Sequence, residues 1–191
     1  VGGKSASNVS SGLMGLWNLD ESTGSVAADS SGNSNNGSFS GTADTLGGVG
    51  IKGRALNVSL FSGGSITNEV SISSSTDFGS LTSLSVAFWV SPSPTWPNLL
   101  RTGLFELPGV FKIGTDNSGQ ISLWASSWST TEGRWPNSGV TIPNDRSWHH
   151  VAITYNPSAG TGDIPIIYLD GISSTASTTG GQTAAGSWSP A

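Results

Sequence analysis

The 191-residue sequence predicts an all-β fold, an antiparallel sandwich or jelly roll, and three observations carry that expectation. Apolar residues come in short alternating runs. Gly, Pro, Asn and Ser interrupt those runs about every ten residues, the spacing of short strands joined by turns. Charged residues make up 10% of the chain, against ~25% in an average soluble domain, and Ser, Thr, Gly and Asn take their place. Such a surface suits strands and turns and suits a charged helical bundle poorly. One domain is expected over residues 12–191, after a flexible leader at 1–11, "VGGKSASNVSS".

The strands follow in order. "GLMGLWNLD" (12–20) sets Leu13, Trp17 and Leu19 on one face, and "RALNVSLF" (54–61) alternates Leu56, Val58 and Leu60 against Ala55, Asn57 and Ser59. "SLSVAFWV" (83–90) puts Leu84, Val86, Phe88 and Val90 on one side and Trp89 on the other. "VFKIG" (110–114) and "QISLWAS" (120–126) form a hairpin around "TDNSG", whose Asn-Ser-Gly can supply a residue at positive φ. "SWHHVAITY" (147–155) and "IPIIYLDG" (164–171) are two further strands, joined by "NPSAGTGD".

Composition excludes several function classes. The net charge is −5, and the seven Lys and Arg residues are scattered from Lys4 to Arg146, so there is no basic stripe for nucleic acid. No run approaches the ~18 apolar residues of a membrane span. Cysteine is absent, which removes disulfides and thiolate metal sites. The chain starts at Val1 and reads as a processed product from which any signal sequence has gone.

The motifs "GLWNLDE" (15–21), "AADSSGNSNNG" (27–37), "GIKGRALNV" (50–58), "SLSVAFWV", "SWHHVAITY" and "IIYLDG" occur in an order that resembles the laminin-G-like, concanavalin A-like jelly-roll domains of microbial surface proteins. The resemblance spans roughly residues 12–175. It implies two curved antiparallel sheets, often with a calcium ion at the rim. It also implies a final strand that pairs beside "GLMGLWNLD". Here the chain ends in "TTGGQTAAGSWSPA", so that strand is expected to be missing. The expected consequence is an unpaired sheet edge, filled by strand exchange or oligomerisation, or by "GQTAAGSWSPA" folding back with Trp188 as a plug.

The loop "DSSGNSNNGSFSG" (29–41) has two readings. Calcium takes 6–8 oxygen ligands, and here Asp29 supplies charge while Asn33, Asn35 and Asn36 supply amide oxygens; Asp20 and Glu21 are the nearest further carboxylates. The other reading is an Asx-rich turn whose side chains cap their own backbone.

Catalytic patterns are missing. His149 and His150 are adjacent on a strand and point to opposite faces, so they cannot chelate one metal together. Glycosidases of this shape carry Glu-x-Asp-x-x-Glu on one strand, because two carboxylates must flank the bond at about 5.5 Å. The four glutamates here (Glu21, Glu69, Glu106, Glu132) lie far apart in sequence. No G-x-S-x-G elbow accompanies the many serines. The expectation is a protein that is not an enzyme.

Eight tryptophans remain to be explained. Trp17, Trp89 and Trp148 sit in strand motifs and are expected to pack. Trp124, Trp128 and Trp135 lie in "SLWASSWSTTEGRWPNSG" (122–139), with Glu132 and Arg134 between them. Either these rings stack on the apolar faces of sugars while polar neighbours take the hydroxyls, or they cover the loops. The function expected is a non-catalytic extracellular or cell-surface recognition module for a glycan or a protein partner, active in adhesion. A structural domain of a surface fibre, pilus-like or virion-decorating protein, or an accessory domain of a secreted hydrolase, are the alternatives.

Overall fold

The computed structural model describes residues 12–40, 46–56, 69–72, 78, 83–92, 103–107, 111–115, 119–125, 133–135, 139–156 and 164–175. Every sheet among them is antiparallel, and no α-helix occurs among the described residues. The chain forms two compact units, residues 1–75 and 76–191.

In the first unit, β1 (Val26–Ala27), β2 (Gly37–Ser40) and β5 (Glu69–Ile72) form one sheet in the order β1-β2-β5. β3 (Leu46–Val49) and β4 (Arg54–Leu56) form a hairpin with a register shift between Leu46 and Gly48. The segment 12–20 is not the strand its alternation predicts. Its one bridge joins Trp17 to Asp29, and Leu19 takes a positive φ of 58°. Alternation survives without a ladder: Trp17 and Leu19 are partly buried while Leu16, Asn18 and Asp20 are exposed. Trp17 folds back over Gly15, where any Cβ would strike the indole, and its Nε1 donates to Asn35 O at 2.8 Å.

The second unit carries two four-stranded sheets. One has the order β10-β9-β8-β7, from β7 (Gly103–Leu107), β8 (Phe111–Thr115), β9 (Ile121–Ala125) and β10 (Gly133–Trp135). The other runs β13-β12-β11-β6, from β6 (Leu84–Val90), β11 (His149–Tyr155), β12 (Ile166–Leu169) and β13 (Ile172–Thr175). Phe111, Ile113, Ile121 and Leu123 are buried in the first sheet, and Val151, Ile153, Tyr155 and Ile167 in the second. Two sheets in one compact unit, each with a buried apolar face, make the layered β architecture that the alternating runs predict.

Several elements had no foresight in the sequence. β7 and β10 flank the expected β8–β9 hairpin, and β13 returns from β12 through Asp170–Gly171, both at positive φ (52° and 84°). Asp-Gly between alternating residues is a strong hairpin signal, so β13 was legible in "IIYLDGISST". The predicted leader at 1–11, the distal part of the "RALNVSLF" strand, and the C-terminal tail with its expected missing strand lie outside the described residues.

Candidate functional site

The Asp29 loop is held by its own side chains. Asp29 Oδ1 accepts from Leu16 N (2.9 Å) and Ser31 N (2.8 Å), and Oδ2 from Ser31 Oγ (2.8 Å) and Asn35 N (2.9 Å). Burial works against the ionised carboxyl, yet these hydrogen bonds hold its pKa below the ordinary aspartate value. Asn36 Oδ1 accepts Asp29 N, while the amide nitrogens of Asn33 and Asn35 donate to the carbonyls of Leu13 (2.6 Å) and Met14 (2.8 Å).

A carboxylate offers about four lone-pair positions, and all four on Asp29 have protein donors. Asp20 lies elsewhere: its Oδ1 accepts Arg54 N at 2.7 Å and packs where a Cβ on Gly53 would sit. Glu21 Oε1 accepts Ala28 N at 2.8 Å. Among the described residues no three His, Asp or Glu side chains are grouped to hold a metal. In this arrangement the donor set does not fit calcium, because the ion would have to displace N–H donors from Asp29.

The tryptophan-rich segment divides. Trp128 and Glu132 lie outside the described residues, and of Trp124, Arg134 and Trp135 the strand positions are described but not the side chains. Trp124 pairs with Lys112 of β8 and with Arg134 of β10, so these positions share one face, and Glu106 of β7 continues the row. Lys112 Nζ contacts Glu106 Oε2 at 3.1 Å. Trp135 pairs with Leu123, which is buried. Positions 124 and 135 therefore fall on opposite faces of the sheet.

A different indole is plainly exposed. Trp89 on β6 is 48% accessible, and its ring meets His150 of β11 edge-on with centroids 5.0 Å apart. The register pairs Trp89 with His150, Ala87 with Ala152, and Ala152 with Tyr168 of β12. Strand alternation puts these positions on the face opposite to buried Val151, Ile153 and Ile167. Ser85, Thr154 and Ser173 hold further positions on it. No Asp, Glu, Lys or Arg occurs within the four strands of this sheet. The result is a face without charged residues in its strands, with a floor of small side chains, an aromatic ring at each side of the floor, and hydroxyls and the exposed Ile166 around it. The expectation that Trp89 packs is corrected: alternation in "SLSVAFWV" sets it opposite Leu84, Val86, Phe88 and Val90, and the ring on that side stays exposed, with the pairing showing what lies beside it.

The two histidines do point to opposite faces. His149 is buried and lies between two carboxylates, with Nδ1 2.8 Å from Asp170 Oδ2 and Nε2 3.1 Å from Asp145 Oδ1. Asp170 Oδ1 also accepts His150 N, and Asp170 N donates to His150 O.

Among curated proteins and among solved structures nothing matches this chain. One family model does match, Laminin_G_3, described as the concanavalin A-like lectin/glucanases superfamily, over residues 62–191. The matched stretch begins after the Asp29 loop and contains the whole second unit. With two thirds of its length matched, and with every sheet among the described residues antiparallel, the chain belongs to the laminin-G-like branch of the concanavalin A-like lectin/glucanase superfamily.

Proposed function

We propose that this protein is a non-catalytic recognition module of a microbial cell surface that binds a neutral glycan on the outer face of the β13-β12-β11-β6 sheet. The exposure of Trp89 on an uncharged, hydroxyl-bearing strand face carries the reading. A pyranose stacks its C–H face on an indole, and serine, threonine and histidine take its hydroxyls. The lack of charge on the face favours a neutral sugar over a sialylated or sulfated one. It also supports binding without catalysis, since glycoside hydrolysis needs two carboxylates beside the bond and none lies within these strands. An open face with few stacked rings gives micromolar to millimolar affinity, because association has a large entropic cost.

Calorimetric titration with a panel of neutral oligosaccharides tests the reading. Trp89→Ala is expected to weaken binding roughly three- to tenfold, the scale of a ring contact worth ~0.5–1.5 kcal/mol, while Trp124→Ala leaves it unchanged. Binding that ignores Trp89→Ala but is lost in Trp124→Ala would move the site to the Lys112–Trp124–Arg134 row. A panel without a ligand would favour a protein partner or an assembly role.

A further inference from the structure

We propose that His149 is a pH-dependent pin that ties the Asn144–Ser147 loop to the β12–β13 turn when it is an imidazolium, and releases only the loop when it is neutral. A neutral imidazole has one N–H donor and one acceptor, whereas the imidazolium has two donors. His149 meets a carboxylate at each nitrogen, at 2.8 Å and 3.1 Å, and only the charged form satisfies both.

Asymmetry between the carboxylates decides which contact goes. Asp170 is fixed by its own backbone, which exchanges bonds with His150 through Asp170 N→His150 O (2.9 Å) and His150 N→Asp170 Oδ1 (2.8 Å). Asp145 is tied only within its turn, where Oδ1 accepts Ser147 N at 2.7 Å. The neutral ring therefore keeps its Nδ1–H on Asp170 and turns a lone pair at Nε2 toward Asp145, which repels the carboxylate.

Among the described residues the charged groups at the ring are Asp145 from the loop and Asp170 from the turn, while the ring of His150 on β11 lies on the opposite face against Trp89. Paired Val90 and Leu169-flanked Val151 add no charge from β6 or β12. The hydrogen bond to Asp170 raises the pKa of His149 from its usual value; burial opposes this, and the bond to Asp145 adds to it. The hydrogen bonds from His149 and the neighbouring backbone hold Asp170 below the ordinary aspartate range, and those from Ser147 and His149 do the same for Asp145. A raised histidine pKa means the pin is whole below ~6.5 and is lost as pH rises through the folded value; the depressed carboxylates keep it whole down to ~3.8, and it is lost as pH falls through their still lower folded values. The loop borders the Trp89 end of β6, where Ser91 Oγ donates to Arg146 O at 3.3 Å. The pin is a property of the free protein and stands whether or not that face takes a sugar.

Amide exchange and histidine NMR between pH 5 and 9 test it, with protection corrected for the intrinsic base catalysis of exchange. His149 should titrate above 6.5. Ser147 amide protection should fall about tenfold across that titration while the His150 and Asp170 amides hold. Asp145→Ala, at an exposed position, should lower the His149 midpoint and leave Ser147 weakly protected at every pH. A midpoint at or below 6.5, Ser147 protection flat with pH, or an equal loss at His150 would each overturn the proposal.

Discussion

Asp29→Ala should cost the first unit far more than an ordinary polar substitution on a partly exposed loop. The carboxylate accepts four hydrogen bonds, three of them part-buried (from Ser31 N, Ser31 Oγ and Asn35 N) and one exposed (from Leu16 N). A net ~1 kcal/mol for each part-buried bond and ~0.5 kcal/mol for the exposed one gives about 3.5 kcal/mol. At ~2–4 °C per kcal/mol for a chain of this size, the melting temperature should drop by about 7–14 °C. The assay is thermal unfolding followed by circular dichroism, with exchange of the Leu16, Ser31 and Asn35 amides to locate the loss in the loop. Running each melt in calcium and in EGTA separates the two readings of the loop. A self-capped turn loses the same stability in both, and the wild-type melt ignores calcium. Calcium at 100 times its dissociation constant would instead add ~2.7 kcal/mol to the wild type. Asp29→Ala within 1 °C of wild type in both buffers would refute the capping argument; a loss confined to calcium buffer would make Asp29 an ion ligand. Because its pKa is depressed, Asp29 contributes fully above ~3.8 and its contribution disappears as pH falls through the folded value. The Asp29→Ala deficit should therefore shrink below pH 4.

Three further outcomes are expected. Gly53→Ala should destabilise by ~1–2 kcal/mol, because its Cβ would meet the Asp20 carboxylate and its φ is +73°; the Asp20→Ala, Gly53→Ala double variant should cost less than the sum of the singles in a denaturant titration. Ile153→Ala, at a fully buried position of β11, should cost ~2–5 kcal/mol by the same titration. Gly171→Ala, at φ 84° in the β12–β13 turn, should cost about 1 kcal/mol and speed amide exchange in β13 more than in β6.

Class and strand faces were readable from residues alone. Alternation in "SLSVAFWV" and "SWHHVAITY" fixes which side chains face the core, since a strand has a period of two whatever it pairs with, and β6 and β11 lie where those runs lie. The same reasoning put His149 and His150 on opposite faces. It failed at 12–20, where Leu19 turns to positive φ and the segment bridges only at Trp17; alternation reports which side is buried and not whether a neighbour completes a ladder. The oxygen-rich loop was legible as a polar cluster. Whether its oxygens face inward to N–H groups or outward to an ion is a matter of angles, and the tertiary structure supplied Leu16 N from outside the loop.

Pairing register is what the sequence alone left open. It separates Trp124 from Trp135 by one residue of alternation across β9 and β10, and it gathers Trp89, His150 and Tyr168, far apart in the chain, onto one face. Asp170 lies 21 residues from His149 and Asp145 only four, yet the hairpin turn brings both carboxylates to the same ring. Local chemistry set which residues could be buried, capped or exposed; long-range pairing decided which of them meet, because register depends on partners that no single strand encodes.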